Sequence, residues 1–227
     1  MSKLGWISDN DLINVLDELL DRSGNAIDES SKRLTKNVQD PFASLVMAKV
    51  AEITDPEVLH NLQLSISASQ GISGAIGHFH QRILACVDGF VDHDTGYALE
   101  NEQEKIIAEV KNKHNTMNAT NMRKVVSDLE TALRQKRGKW RGYLVIIVPK
   151  KPHRYTKSLS SSKNVIEIDG ASFYELATGH KTALRDLYDV VEEMILEKHL
   201  KLGYGPKSND VKLRNYCRQI VDNSLPK

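Results

Sequence analysis

The sequence predicts an α/β protein in which a mixed central sheet is flanked by helices and preceded by a mainly helical N-terminal portion. Before about residue 90, apolar side chains recur at helical spacing, whereas from Gly96 onward short runs typical of strands appear. The core order is strand, strand, helix, strand, strand, which is the order of a mixed α/β layer. We therefore expect a single domain over residues 1–227, with a helical portion at 1–90, a core at 91–180 and C-terminal helices at 181–227.

Three helices are predicted in the N-terminal portion. Apolar residues at helical spacing predict the first over Asp9–Leu20. The polar segment 23–40 predicts a loop or a loosely held helix. Pro41 and Pro56 each open a further helix. The helix after Pro56 is rich in Gly and Ser, so we expect a break near Gly71.

The core begins with two short strand candidates, Tyr97–Leu99 and Ile106–Val110, joined by a charged turn. Asn118 then predicts the N-cap of an amphipathic helix. The fully apolar run "GYLVIIVP", residues 142–149, predicts a central buried strand, and "VIEID", residues 165–169, predicts another. Helices are expected to follow over 172–178, 182–200 and about 209–223.

Composition limits the functional classes. The 227 residues carry a net charge of +1, so the whole-chain charge does not indicate a polyanionic partner. Cys86 and Cys217 are far apart, which argues against a disulfide framework and favours a reducing cytoplasm. The sequence shows no signal-peptide pattern and no apolar stretch of roughly 20 residues, so we expect a cytoplasmic protein with no membrane partner. The Gly- and Ser-rich string "SASQGISGAIGHFHQ" lacks the spacing of a phosphate loop, so we expect no nucleotide cofactor.

The pattern Glu109-Val110-Lys111, at the end of a predicted strand, is the main chemical signal. Residues i and i+2 of a strand share a face, so Glu109 and Lys111 project together while Val110 faces the core. The carboxylate is an oxygen ligand for Mg²⁺, the backbone carbonyl of Val110 can add a second, and the ammonium can hold an attacking water. Taken alone, this short and common pattern is more often a solvated Glu–Lys pair.

The longer string "GYALENEQEKIIAEVKNKHNTMN", with the later "IDGASFYELATG", resembles a group of small type II restriction endonucleases with a PD-(D/E)XK nuclease core. Their pattern is G-[FY]-D-L-x-N-E, a short turn, and a strand ending in E-[VIM]-K-N-K-H-N-T. The match is close over residues 96–118 and good over 164–180. It assigns Glu109 to the second metal-binding carboxylate and Lys111 to the catalytic lysine.

The resemblance also carries expectations for the whole protein. It implies a PD-(D/E)XK restriction-endonuclease-like fold, so that the single domain is an endonuclease domain and its core, 91–180, is catalytic. It implies a bacterial intracellular enzyme that needs Mg²⁺ and cuts both strands of double-stranded DNA at a short palindromic site, GGNCC-like. A palindromic site is matched by a twofold assembly, so a homodimer is expected.

The first metal-binding aspartate of the pattern falls on Ala98, which has no oxygen to offer. Two explanations compete: either the ligand has moved to Asp92, Asp94 or Glu100, or the chain carries an Asp→Ala substitution that leaves DNA bound but uncut. Because alternate residues of a strand share a face, Glu100 lies on the same face as Ala98 but two residues further along the strand. Asp92 and Asp94 lie in a predicted loop before Gly96. These positions favour the substitution, and with it a catalytically inactive chain.

A tract without acidic residues, between Glu130 and Glu167, predicts a phosphate-binding surface. Its basic residues bracket the apolar central strand. The polar residues that follow the E-x-K strand are suited to phosphates and base edges. The resemblance adds two residues of the Gly- and Ser-rich helix. The predicted DNA contacts are Lys113, His114, Asn115, Thr116, Arg137, Lys139, Arg141, Lys150, Lys151, Arg154, Ser69 and Gln70.

Three alternative functions stay open. A structure-specific PD-(D/E)XK repair nuclease would cut DNA without a fixed site. A non-catalytic DNA-binding protein that has lost its metal site would bind DNA but would not cut it even after Ala98→Asp. An α/β protein whose basic tract is only a solvated surface would not bind DNA at moderate salt.

Overall fold

The computed structural model of the chain describes residues 2–36, 40–93, 96–159, 163–201 and 210–227. Helices over these residues are α1 (Asp9–Lys36), α2 (Pro41–Val50), α3 (Pro56–Ala85), α4 (Ala119–Gln135), α5 (Gly170–Thr178), α6 (Ala183–Lys201) and α7 (Asp210–Ser224). Strands are β1 (Phe90–Asp92), β2 (Leu99–Asn101), β3 (Ile106–Lys113), β4 (Arg141–Val148), β5 (Thr156–Ser158) and β6 (Val165–Asp169).

The six strands form one mixed sheet in the order β1-β2-β3-β4-β6-β5. Strands β3, β4 and β6 are parallel, whereas β1, β2 and β5 pair antiparallel with their neighbours. The parallel strands lie in the centre, and they are joined by long crossover connections, as parallel pairing requires. The predicted α/β class with a mixed central sheet is confirmed.

Both faces of the sheet are covered. On one face, Ile107 packs in a buried cluster with Leu129 of α4 and with Trp140. On the other face, Phe173 of α5 lies against Tyr143 of β4, with ring centroids 5.7 Å apart. The central strand β4 is therefore buried on both sides, which explains its continuous apolar run.

The N-terminal helices differ from two predictions. Helix α1 continues past the predicted end at Leu20 to Lys36, so the segment after residue 22 adopts the helical alternative up to that point. Its described side chains are at least partly exposed except that of Ser30, which is buried. Helix α3 is continuous through Gly71, and the predicted break is wrong. A Cβ added at Gly71 would lie 2.6 Å from the Cβ of Ala26, so the glycine permits close packing of α1 and α3.

The core elements follow the sequence with shifts at their ends. Asn118 caps α4 as predicted, because its side chain accepts a hydrogen bond from the Asn121 amide at 2.8 Å. Strand β2 begins two residues later than predicted, at Leu99. The short strands β1 and β5 were not predicted, because three residues carry too little pattern to distinguish a strand from a loop.

Contacts divide the chain into two compact units, one comprising Met1–Asn14 with His80–Lys227 and the other Val15–Phe79. The sheet, α4, α5, α6 and α7 belong to the first unit. The expectation of a single endonuclease domain over 1–227 stays a prediction. Among the described residues, we find no helix with the length and apolar character to cross a membrane.

Candidate active site

An open cleft of about 480 Å³ lies where β3 meets α4. The cleft brings together three positions singled out in the sequence, Ala98, Glu109 and Lys111. The other residues around it are Gln81, His93, Gly96, Tyr97, Thr116, Met117, Asn121, Lys124, Val125 and Asp128. All of these residues belong to the unit that contains the sheet.

Glu109 and Lys111 extend from the same face of β3, as the i, i+2 spacing predicts. The Lys111 Nζ donates to Glu109 Oε1 at 2.6 Å, and the two side chains keep 29% (Lys111) and 21% (Glu109) of their surface exposed. The side chain of Val110, between them, is buried on the opposite face. A carboxylate and an ammonium in contact, both open to solvent, can bind a cation and a water side by side.

Ala98 lies beside this pair and is almost fully buried, at 6% exposure. It immediately precedes β2, and its amide donates to the carbonyl of Ala108, the residue before Glu109, at 2.9 Å. The position thus corresponds to a carboxylate next to Glu109 in the pattern, but the methyl group has no oxygen to give. The cleft has an apolar wall where the pattern has an acid.

Two of the substitute acids considered from the sequence have other partners. Asp92 accepts hydrogen bonds from Gln81 (2.6 Å) and Arg82 (3.2 Å), and it pairs in register with Leu99 rather than with a cleft residue. Glu100 accepts from the Tyr97 hydroxyl and from the Lys136 ammonium, and it does not line the cleft. The third, Asp94, lies outside the described residues.

Helix α4 places polar residues in the cleft that sequence reasoning missed. Asn121, Lys124 and Asp128 follow one another at helical spacing on the same side of α4. Lys124 Nζ lies 2.7 Å from Asp128 Oδ2, and hydrogen bonding to Asp128 is the main cause that raises the pKa of Lys124; the charge of Glu109 contributes too. The signal was present in the sequence, as a polar row beside the predicted apolar stripe of this helix.

Gln81 of α3 adds an oxygen to the cleft. Burial alone would raise the pKa of Asp92, but hydrogen bonds from Gln81 and Arg82 outweigh it, so the pKa is lowered and Asp92 is an ionised acceptor at neutral pH. Gln81 must therefore turn its amide nitrogen to Asp92. Its Oε1 accepts no hydrogen bond from a described residue. This amide oxygen can therefore serve as a neutral ligand for a cation.

The loop after β3 reaches the same edge. Lys113, His114, Asn115 and Thr116 are exposed, and Thr116 lines the cleft. The His114 amide donates to the carbonyl of Val148 at 3.1 Å, so the loop is fixed to the end of β4. These four predicted DNA contacts thus lie next to the candidate catalytic pair.

The basic tract is divided between opposite ends of the sheet. Lys150 and Lys151 are exposed and follow the carboxyl end of β4, at the edge where β3 ends beside it. Arg137, Lys139 and Arg141 lie at the amino end, and all three are exposed. The eight residues of β4 separate the two groups by about 23 Å at roughly 3.3 Å per residue. Only the first group lies at the edge that carries the cleft.

Arg154 differs from the rest of the tract. Its guanidinium donates to Glu175 at 2.5 Å and to the backbone carbonyls of Lys181 and Lys227, at 2.5 Å and 2.9 Å. All three guanidinium nitrogens are engaged within the chain. These bonds favour a structural role for Arg154, which ties the C-terminal residues to the core, over the predicted DNA contact.

The remaining predicted contacts, Ser69 and Gln70, are exposed on α3 and belong to the unit Val15–Phe79. The Nδ1 atom of His80 lies 2.8 Å from the Tyr174 hydroxyl. Burial lowers the pKa of His80 to about 4. Within the described ranges, no group of three or more His, Cys, Asp or Glu side chains is placed to hold a metal ion together.

Comparison with known proteins gives two kinds of match. The family model described as Eco47II restriction endonuclease matches residues 4–200. The type II restriction enzyme Eco47II of Escherichia coli is 35% identical over 92% of this chain and 95% of its own length. The type II restriction enzyme Sau96I of Staphylococcus aureus is 23% identical over 88% of this chain and 84% of its own length.

Proposed function

The chain belongs to the Eco47II restriction endonuclease family and is a sequence-specific DNA endonuclease of type II, and on that premise we propose how it cuts. Restriction endonucleases are generally metal-dependent. We propose Mg²⁺ as the metal and the cleft formed by Glu109, Lys111 and Ala98 as the active site. The observation that carries this proposal is the contact of Glu109 with Lys111 in an open cleft at the end of a parallel strand.

The donor set fits a hard divalent cation. The cleft offers the carboxylates of Glu109 and Asp128 and the amide oxygen of Gln81, and Mg²⁺ binds oxygen ligands. A bound cation supplies Lewis acidity for hydrolysis of the phosphodiester. Glu109 would hold the cation. Lys111 would hold the attacking water beside the scissile phosphate.

DNA binds across the carboxyl end of the parallel strands. Lys113, His114, Asn115 and Thr116 contact phosphates and bases next to the cut, and Lys150 and Lys151 neutralise phosphates on the same edge. Arg137, Lys139 and Arg141 reach phosphates farther from the cut. Ser69 and Gln70 contact DNA from the helical unit. The target is a short palindromic duplex site, and the resemblance of residues 96–118 favours a GGNCC-like sequence.

The enzyme acts as a homodimer, in the bacterial cytoplasm. Helix α2 supports the dimer, since it contains no buried residue although it is rich in apolar side chains. A row of them at helical spacing, Phe42, Leu45, Val46 and Val50, is 57% to 79% exposed. A ten-residue helix is marginal without tertiary packing. Pairing of the α2 rows of two copies would bury these side chains in a twofold interface.

The dimer is tested by sedimentation velocity on the full chain. Val46→Glu should convert the dimer to monomer at micromolar concentration. Leu213→Glu, on the exposed apolar side of α7, is the matched control, since Leu213 is 61% exposed, similar to Val46 at 58%. A monomeric Leu213→Glu variant with a dimeric Val46→Glu variant would contradict the α2 interface.

The catalytic proposal is tested by Mg²⁺-dependent cleavage of plasmid DNA. The chain itself, Ala98→Asp and Glu109→Gln are compared, with the fragment ends sequenced. Discrete fragments that disappear with Glu109→Gln are expected. Cleavage by the Ala98→Asp variant alone would establish the disabled-site explanation of Ala98. Random ends would point to the structure-specific nuclease, and DNA binding without cleavage by any variant would point to the non-catalytic protein.

A further inference from the structure

We propose that Asp128 of α4 supplies the second carboxylate of the metal site, the role that position 98 cannot fill. The proposal rests on the proposed function, since it deepens the assignment of the same cleft. It gives the chain a complete pair of acids without a substitution at Ala98. Glu109 approaches the cation from the sheet, and Asp128 approaches it from the helix that covers the sheet.

The choice of Asp128 follows from what the other acids do. Glu100 is held by Lys136 and Tyr97 outside the cleft, and Asp92 is held by Gln81 and Arg82. Among the described residues, the carboxylates that line the cleft are those of Glu109 and Asp128. A cation bound by Glu109 therefore has one further described carboxylate within the same walls.

The position of Asp128 is fixed by its neighbours on α4. Leu129 is fully buried in the cluster with Ile107, and Val125, one turn earlier, packs on the same cluster. These contacts fix the rotation of the helix, so the side that carries Asp128 faces the cleft. Ile107 is two residues before Glu109 on the same face of β3, so one packing contact positions both acids.

Lys124 lines the cleft together with both acids. Its ammonium contacts Asp128 at 2.7 Å. A positive charge is therefore favourable at this point of the cleft. The Lys124 side chain is 74% exposed and can turn into solvent when a divalent cation takes its place. It competes with the cation in the resting protein.

The experiment measures binding of Ca²⁺ alone, in the absence of DNA, to the full chain by isothermal titration calorimetry. Asp128→Asn should weaken Ca²⁺ binding by about tenfold or more, because the number of carboxylates tunes affinity. Glu130→Gln on the same helix is the matched control, since Glu130 pairs with Arg134 and does not line the cleft; it should bind within about twofold of the unchanged chain. Lys124→Met should bind Ca²⁺ more tightly, since a competing ammonium is gone.

The decisive variant is the double change Asp128→Asn with Ala98→Asp. If Asp128 fills the role of position 98, the new aspartate restores Ca²⁺ affinity to within about threefold of the unchanged chain. Unchanged Ca²⁺ binding by Asp128→Asn, with binding lost in Glu109→Gln, would reduce Asp128 to a surface ion pair with Lys124 and overturn the inference. Unchanged binding by Glu109→Gln would instead overturn the proposed metal site itself. Thermal unfolding of each variant confirms that it is folded.

Discussion

Two of the Glu–Lys pairs formed by described residues in the unit that contains the sheet differ in what surrounds them. Glu109 and Lys111 meet at 2.6 Å in an open cleft, with 21% and 29% of their side chains exposed. Glu100 and Lys136 also form an ion pair, but Glu100 is only 12% exposed and accepts a further bond from the Tyr97 hydroxyl. The first pair can exchange its partners for a ligand, whereas the second is held by several bonds within the protein.

The surroundings of the second pair show why it is structural. The Lys136 ammonium lies over the Trp140 ring at 4.5 Å from its centroid, in a cation–π contact. Hydrogen bonds and charge from Lys136 and Tyr97 outweigh the burial that would otherwise raise the pKa of Glu100, so this pKa is lowered. Residue type therefore does not distinguish a catalytic pair from a structural one; the number of other bonds that each side chain makes does.

Removing the carboxylate of the open pair should have the largest effect. Glu109→Gln is expected to lower the single-turnover cleavage rate by at least about 10³-fold, or roughly 4 kcal/mol, because the cation loses its strand ligand. The measurement is cleavage of a defined duplex at saturating enzyme. Lys111→Met should lower the same rate while leaving Ca²⁺ binding in place, since it holds water rather than metal.

The matched substitution in the buried pair of Glu100 with Lys136 tests whether that pair is structural rather than catalytic. Glu100→Gln should leave the cleavage rate within about threefold of the unchanged chain at a temperature where the variant is folded. If its rate falls as far as that of Glu109→Gln, the division into a catalytic and a structural pair is wrong, and Glu100 would return as a metal ligand.

Stability should respond in the opposite order. Glu100→Gln leaves the Lys136 ammonium with a neutral partner, and it is expected to lower the free energy of unfolding by about 1–3 kcal/mol. Glu109→Gln should change it by less than about 1 kcal/mol, because its pair is open to water. Urea unfolding of both variants, at one pH and temperature, measures the two values. Equal losses would contradict the contrast.

The pH dependence of stability distinguishes the contribution of Glu100 from that of His80, a buried histidine in the same unit. His80 has a pKa lowered by burial to about 4, so the folded protein keeps it neutral while the unfolded chain protonates near pH 6.5. Stability from this residue is complete above pH 6.5 and is lost as the pH falls toward 4. A His80 pKa lowered from 6.5 to about 4 corresponds to about 3 kcal/mol in the free energy of unfolding.

Glu100 acts at lower pH. Its pKa is lowered in the folded state, so its contribution is complete above the ordinary value near 4.5 and is lost as the pH falls through the folded value. His80→Gln should flatten the loss of stability between pH 6.5 and 4, and Glu100→Gln should flatten the loss below that range. Urea midpoints at half-unit pH steps measure both. If the urea midpoint falls with decreasing pH in the same way in both variants as in the unchanged chain, the assignments of His80 and Glu100 are both wrong.

Several features of the fold are encoded locally in the sequence. Asn118 as a cap, the run 142–149 as a buried strand and the shared face of Glu109 and Lys111 all depend on neighbours within one or two turns, and they were predicted. The role of Gly71 was not, because Ala26 is remote in sequence.

The cleft combines local and long-range information. Glu109, Lys111 and Ala98 came from a motif, but Asp128 and Gln81 come from helices that the motif does not include. Arg154 looked like its basic neighbours until the fold gave it Glu175 and two backbone carbonyls as partners. Partners that are distant in the chain are set by packing, and no local pattern records them.

The smallest expected effect compares the two ends of the sheet. Changing Lys150 and Lys151 together to Ala should weaken DNA binding and reduce the slope of log K against log salt by about 0.9 for each phosphate that is no longer neutralised. Arg137 and Arg141 changed together to Ala are the matched control, with two charges also removed, about 23 Å away along β4. The scissile phosphate must reach Lys111, so replacing Lys150 and Lys151 should also lower the cleavage rate at subsaturating enzyme. The control substitutions should lower it less. Filter binding at about 50 to 200 mM salt measures the slopes. A larger change of slope in the control variant would indicate that DNA binds at the amino end of the sheet, away from the cleft.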